Sequence, residues 1–299
     1  MFQVDYQFSE SYSYDKMGNI TWLARNDGID TRDYLTLSYN GNQLKSVNDG
    51  FGSQNLYNLK EYNDRVSLTT EFFYDLNGNM TSDLDRDIVT IKYNLLNLPE
   101  IIQFKNGNQI RNLYDASGQK LNTLYSTLGT PLVVPINDIA NLGDPGNCND
   151  YLNRTDYVGN IEYAFSNDCG DYQYDLDKIY NSEGYVNVLY YTLYNYFRRD
   201  HLGNNREVWR APWSSGSTNY AASTIQRTQY YPSGLPWASN SGDNAWVQNK
   251  KYNGKEFVEM HGYDTYDYGW RGYYPNEWEV YECGSAGGEK TLDIAICFL

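Results

Sequence analysis

Asp200 and His201 are the one adjacent acid–histidine pair in the chain, and a carboxylate that orients an imidazole is the arrangement a general base needs. Neighbours on an extended strand point to opposite faces, so adjacency alone does not make that hydrogen bond, and the pair reads as structural. His201 and His261 are the only histidines, which excludes a histidine-rich zinc site by count. A mixed site would need Cys148, Cys169, Cys283 and Cys297 to converge, and these are scattered with no CxxC spacing. A Cys148–Cys169 disulfide in an oxidising compartment stays open, with ordinary thiols the preferred reading. Asp75, Asn77 and Asn79 alternate as in a calcium loop, but Arg86 stands where that loop's glutamate belongs. Gly41-Asn42 and Gly78-Asn79 are turn chemistry, because no strand-to-helix phosphate pattern accompanies them. No cofactor or metal is expected.

The elements that must position these residues are hairpins. Tyr14-Asp15 precedes Gly18-Asn19, Tyr39-Asn40 precedes Gly41-Asn42, and Tyr74-Asp75 precedes Gly78-Asn79. Tyr93-Asn94 then leads to Leu98-Pro99, and Tyr114-Asp115 to Gly118-Gln119. Each copy reads as a short strand entering a turn whose Asn or Gly takes positive φ, with the next strand leaving as Ile20-Thr21-Trp22-Leu23 or Met80-Thr81. A lone hairpin cannot bury its apolar face, so the copies are expected to pair edge to edge into one long sheet. No amphipathic helix longer than two turns is expected.

Composition agrees with strands. Of 299 residues, 32 are tyrosine and 10 phenylalanine, a bias toward rings that lie on a sheet while the hydroxyl reaches water or a neighbour. A net charge of −15 without any Lys/Arg run argues against nucleic acid and anionic membrane as partners. No apolar run approaches the ~18 residues of a membrane span, and Met1-Phe2-Gln3-Val4-Asp5-Tyr6 does not read as a signal peptide. Localisation is left unknown.

Four regions are expected: repeat hairpins over 1–125, a turn-rich insertion with connecting strands over 126–190, a motif-dense region over 191–275, and a tail over 276–299. The insertion carries Pro131, Pro135 and Pro145, and strand signals return at 156–163 and 184–191.

The motif-dense region contains Asp200, His201, Leu202, Gly203, Asn204 and Arg206, then Tyr230-Tyr231-Pro232-Ser233-Gly234. It continues with Tyr252, Asn253, Gly254, Lys255 and Glu256, and then Tyr266, Asp267, Tyr268, Gly269 and Arg271. This ordered set resembles the Rhs/YD-repeat family, in particular its repeat-associated core, which reads DHLGNxR, YYPFG, YNGKE and YDYGARMYDP. Ser233, Trp270 and Gly272 depart from that pattern and are expected to loosen local packing. The resemblance implies an all-β fold in which YD-repeat hairpins form a long spiralling sheet, part of a hollow β-shell closed by the core. In the family the shell commonly encloses a C-terminal toxin freed by self-cleavage at a DPxG-type motif, and members are exported or displayed at the cell surface. No DPxG-type motif is found in this sequence.

The tail from Asn276 leaves the family pattern. Codons permitted for residues 276–299, read one base on, encode MNGRFMSVDPLAEKKPWISPYAF, which resembles the family's continuation. A frameshift near Pro275 is therefore expected, with a variable C-terminal extension as the alternative; the tail should then pack loosely and leave the core incomplete. The expected function is a non-enzymatic structural segment of an Rhs shell, truncated, whose partners are the remainder of a longer polypeptide or its toxin cargo. The alternative is a β module that recognises a glycan or a cell-surface protein through its aromatic rings.

Overall fold

A computed structural model describes residues 8–27, 31–51, 62–142, 151–168, 171–189, 191–237, 248–277 and 279–282. All four cysteines lie outside the described residues, so the Cys148–Cys169 pairing does too.

The chain is all-β and antiparallel. A first sheet takes Ser9–Tyr14, Ile20–Asn26, Thr31–Asn40 and Gln43–Asp49 in chain order. A second sheet has thirteen strands among the described residues. Twelve follow the chain: Phe72–Tyr74, Met80–Asp83, Ile88–Tyr93, Pro99–Phe104, Gln109–Tyr114, Lys120–Thr127, Tyr151–Val158, Ile161–Asp168, Asp171–Tyr180, Gly184–Asn187, Leu193–Arg199 and Asn205–Arg210. Ser223–Arg227 is the outermost, reached past a small hairpin of Trp213–Ser215 with Thr218–Tyr220. Such a meander needs only short hairpin connections, which is what the Asn/Gly turns supply. The last sheet pairs Glu256–Val258, Thr265–Asp267, Arg271–Tyr274 and Glu279–Glu282. Two single 3-10 turns, Tyr252–Gly254 and Met260–Gly262, are the helical structure among the described residues.

Alternation decides which face is buried. Along Thr31–Asn40, Leu35 and Leu37 are buried while Thr36 and Ser38 are exposed. One apolar cluster joins Leu23, Leu35, Leu44 and Val47 of the first sheet, Met80, Ile88, Ile102 and Phe104 of the second, and Val258 and Tyr274 of the last, with Tyr263 from the connection between that sheet's first two strands. The last sheet therefore covers the apolar face of the repeat hairpins, which could not shield it alone. The strands Tyr151–Val158 and Asp171–Tyr180 are different, since most of their residues stay partly or fully exposed.

Two expectations need correction. Strand structure resumes at Tyr151 rather than 156, because Tyr151–Val158 finds a complete partner in Ile161–Asp168. The tail does not stay off the core at its start: Asn276 and Glu277 are buried, and the backbone of Glu279–Glu282 pairs with Arg271–Tyr274. Backbone pairing reads hydrogen-bonding groups rather than side chains, so an open strand edge accepts this segment whatever its sequence history. Residues 283–299 lie outside the described residues.

Candidate functional site

One five-residue backbone turn recurs through the molecule. In it the first residue's N–H donates to the carbonyl of the fifth, and the fourth residue's N–H donates to the carbonyl of the first. It closes the chain at Asp15–Asn19, Asp75–Asn79, Asn94–Leu98, Phe104–Asn108, Asp115–Gln119, Asp200–Asn204, Tyr231–Leu235 and Lys251–Lys255. The fourth position takes positive φ in each case, at Gly18, Gly78, Asn97, Gly107, Gly118, Gly203, Gly234 and Gly254.

Five of these turns satisfy themselves. Asp75 Oδ1 accepts the N–H groups of Asn77 and Asn79 at 2.9 and 2.8 Å, and its Oδ2 accepts Asn79 Nδ2 at 2.8 Å. Asp15 and Asp115 accept the matching amides of Met17 and Asn19, and of Ser117 and Gln119. Asn94 does the same with Leu96 and Leu98. These bonds favour the ionised carboxylate and hold Asp15, through Asn19, and Asp115, through Ser117, below the ordinary range.

Asp200 is the fifth. Its Oδ1 accepts the N–H groups of Leu202 and Asn204, each at 3.0 Å, and its Oδ2 accepts Asn204 Nδ2 at 2.9 Å. His201 and Leu202 are exposed at the tip. The carboxylate thus orients its own turn. The calcium-like alternation at Asp75 has the same explanation, and Arg86 turns away from it to Asp83, the Tyr263 carbonyl and Thr265 Oγ1.

The turns at Tyr231 and Lys251 carry no acid in first position, and distant side chains supply what is missing. Ser233 N–H donates to Glu10 Oε2 at 2.8 Å, across 223 residues of chain. Asn253 N–H donates to Asn204 Oδ1 at 2.8 Å. These are the third-position amides that Asp75 and its counterparts take locally. Three tyrosine hydroxyls then donate to successive carbonyls of the Tyr231 turn: Tyr252 to Pro232 at 3.2 Å, Tyr273 to Ser233 at 2.6 Å and Tyr266 to Gly234 at 2.9 Å. Burial pushes all three phenols up, so each keeps the proton it donates. Asn253 Nδ2 also donates to the Tyr268 hydroxyl at 3.0 Å.

Several of the motif residues meet at one junction, while His201 and Leu202 stay outside it at their turn's tip. Asn204, Tyr252, Asn253, Tyr266 and Tyr268 are bonded into it directly, and Asp200 and Gly203 shape the turn that presents Asn204. Lys255 lies over the Tyr268 ring with 5.1 Å to its centroid. Arg206 reaches Asp200 at 3.9 Å, and Gly269 N–H donates to Asp267 Oδ1 at 2.6 Å. Arg271 is exposed, and its carbonyl accepts Tyr268 N–H at 2.9 Å. The three departing residues differ in their surroundings, with Ser233 buried and Trp270 and Gly272 lining a cavity. Ser233 is fully buried, and its hydroxyl donates to Glu10 Oε1 at 2.8 Å. Trp270 lies so close over Gly118 that a Cβ there would meet its ring at 2.8 Å. Gly272 pairs with Asp267 on one side and Tyr281 on the other.

Buried ions tie the junction to the repeats, and sequence reasoning missed them. Arg25 is wholly buried; it donates to Glu10 and Asp33 at 2.7 Å each and to the Pro275 carbonyl at 3.0 Å. Lys120 bonds Glu256 at 3.1 Å and Asp267 at 2.5 Å. Lys250 faces Glu162 at 3.7 Å, and burial lowers its amine. Arg25 takes its two carboxylates from register partners on the neighbouring strands of its own sheet, whereas Lys120 and Lys250 take theirs from distant parts of the chain, and no local spacing announces either kind of pair.

No family model matches this sequence, and no curated protein does. Among solved structures, the crystal structure of TcdB2-TccC3-Cdc42 contains a chain of similar fold: TM-score 0.58 and 15% identity, over 95% of this chain. This chain spans 14% of the length of that one.

Proposed function

We propose that this chain is a non-catalytic wall segment of an Rhs/YD-repeat β-shell, with residues 200–274 forming the junction that holds the wall closed. The observation that carries the reading is the single turn frame, self-satisfied along the repeats and satisfied across the molecule at Tyr231 and Lys251. That is the behaviour of a repeat whose last copies have become a clasp. The fold shared with a chain of TcdB2-TccC3-Cdc42 supports the shell architecture. The Rhs motifs at Asp200, Tyr252 and Tyr266 support the family, and with it an encapsulating role toward a toxin cargo or association with other chains of a toxin complex. Asp200 contributes as a turn acceptor rather than as half of an acid–base pair.

The test is a comparison of binding, catalysis and stability in the purified chain. No saturable signal is expected on a glycan array, no hydrolytic activity is expected, and Asp200→Asn is expected to lower stability alone. Glycan binding lost on Tyr174→Ala, an exposed ring stacked on Tyr163, would replace the wall reading with a binding module. Hydrolysis abolished by Asp200→Asn would replace it with an enzyme.

A further inference from the structure

Lys120, Glu256 and Asp267 form a closed triad where the repeat sheet meets the last sheet. Lys120 opens the strand Lys120–Thr127, whereas Glu256 and Asp267 are register partners on adjacent strands. The side chains are 12%, 12% and 22% exposed, and Lys120 Nζ also lies 4.9 Å from the Tyr157 ring centroid. Two carboxylates on one amine is more than an ion pair requires, and the two differ in surroundings. Asp267 presents Oδ2 to Lys120 Nζ at 2.5 Å, while its Oδ1 accepts the Gly269 N–H at 2.6 Å. Glu256 lies 3.1 Å from the same Nζ, and the Tyr157 hydroxyl fixes it at 2.8 and 3.1 Å.

We propose that Lys120 and Asp267 join in a spontaneous intramolecular amide bond, with Glu256 as the proton carrier. Nζ attacks Cγ of Asp267, the Nζ–Cγ bond forms, the Cγ–Oδ2 bond breaks, and Oδ2 leaves as water. The two protons that Nζ gives up in passing from ammonium to amide end on that oxygen, and Glu256 takes and returns one on the way, finishing unchanged. Gly269 N–H points at Oδ1, the atom on which negative charge develops in the tetrahedral intermediate. Contact distance and fixed orientation supply the proximity that such a condensation lacks in water.

Burial works against the charged amine, but attraction by Glu256 outweighs it and holds Lys120 as ammonium above its ordinary range. The reactive amine–acid pair arises by proton transfer within the triad, with no change of net charge. The reaction is therefore slow and time-dependent. Its product would covalently tie a repeat strand to the junction, where Lys120 is the cation facing both acids.

The experiment is intact mass and peptide mapping on soluble, β-folded full-length chain aged at neutral pH. The expected result is a mass lower than the sequence mass by one water, rising in proportion with time, and a branched peptide containing Lys120 and Asp267. Asp267→Asn should give the same branch with loss of ammonia in place of water. Glu256→Gln, which keeps hydrogen-bonding capacity, should slow the reaction at least tenfold. Lys120→Arg should retain the full sequence mass. An unchanged mass after prolonged ageing of the folded chain, or a branch mapping elsewhere, overturns the proposal. So does a branch that forms as fast in Glu256→Gln.

Discussion

The Asp75–Asn79 and Tyr231–Leu235 turns have one backbone and two ways of being satisfied. At Asp75 the acceptor for the third-position amide sits two residues away; at Tyr231 it is Glu10, from the far end of the chain. A turn of the first kind forms with its own hairpin and owes little to the rest of the molecule. A turn of the second kind is complete only when two sheets and the junction have assembled. The repeat thus changes from a local connector to a clasp by losing one carboxylate and borrowing another.

That contrast can be broken by substitution, and the largest effect is expected where the clasp is anchored. Arg25→Ala strands Glu10 and Asp33 without their buried cation and should cost about 3–5 kcal/mol, read as a fall in the urea midpoint. A loss under about 1 kcal/mol would show that the junction is not held through Glu10.

Two glycines in the same turn position sharpen the comparison. At Gly234 a Cβ would meet the Tyr252 ring at 2.6 Å, so Gly234→Ala combines a clash with positive-φ strain and should cost about 2–4 kcal/mol. At Gly203 nothing lies within 4 Å, and Gly203→Ala should show the backbone strain alone, about 1–2 kcal/mol. Equal midpoints for the two variants would erase the distinction between clasp and connector.

Acid tests the two regions in opposite directions. Burial raises Asp85 from 3.8 to about 7, so the folded state binds a proton that the unfolded chain has released. Its contribution is present at low pH and is lost as pH rises from about 4 through about 7. Burial lowers His261 to about 4, so its contribution is present above its unfolded value near 6.5 and is lost as pH falls through about 4. Asp85→Asn should therefore steepen the rise of stability with pH between 4 and 7, and His261→Gln should flatten or invert it. Urea midpoints at a series of pH values check both slopes. The smallest effect is expected for Asp75→Ala, which removes a local acceptor beside water and should cost about 0.5–1.5 kcal/mol, with no change in the junction's protease resistance.

The turns were legible because their chemistry is contained in five residues. Tyr74-Asp75 with Gly78-Asn79 specifies both the acceptor and the positive φ, and the motif at Asp200 repeats it. The order of strands was legible for the same reason, since each hairpin leaves the chain beside the strand it has just made. The start of the tail was misjudged because residues 279–282 join an edge through backbone groups, about which side chains say little.

Local sequence by itself determined the all-β class and the hairpin turns. Which distant group completes each diverged turn was decided only by the tertiary structure, Glu10 for Ser233 and Asn204 for Asn253, and so was the pairing of Lys120 with Glu256 and Asp267. The physical reason is one of range. A hydrogen bond within a turn is set by a few dihedral angles, whereas a buried donor searching for an acceptor is indifferent to sequence separation. It takes whichever group the packed sheets bring within reach.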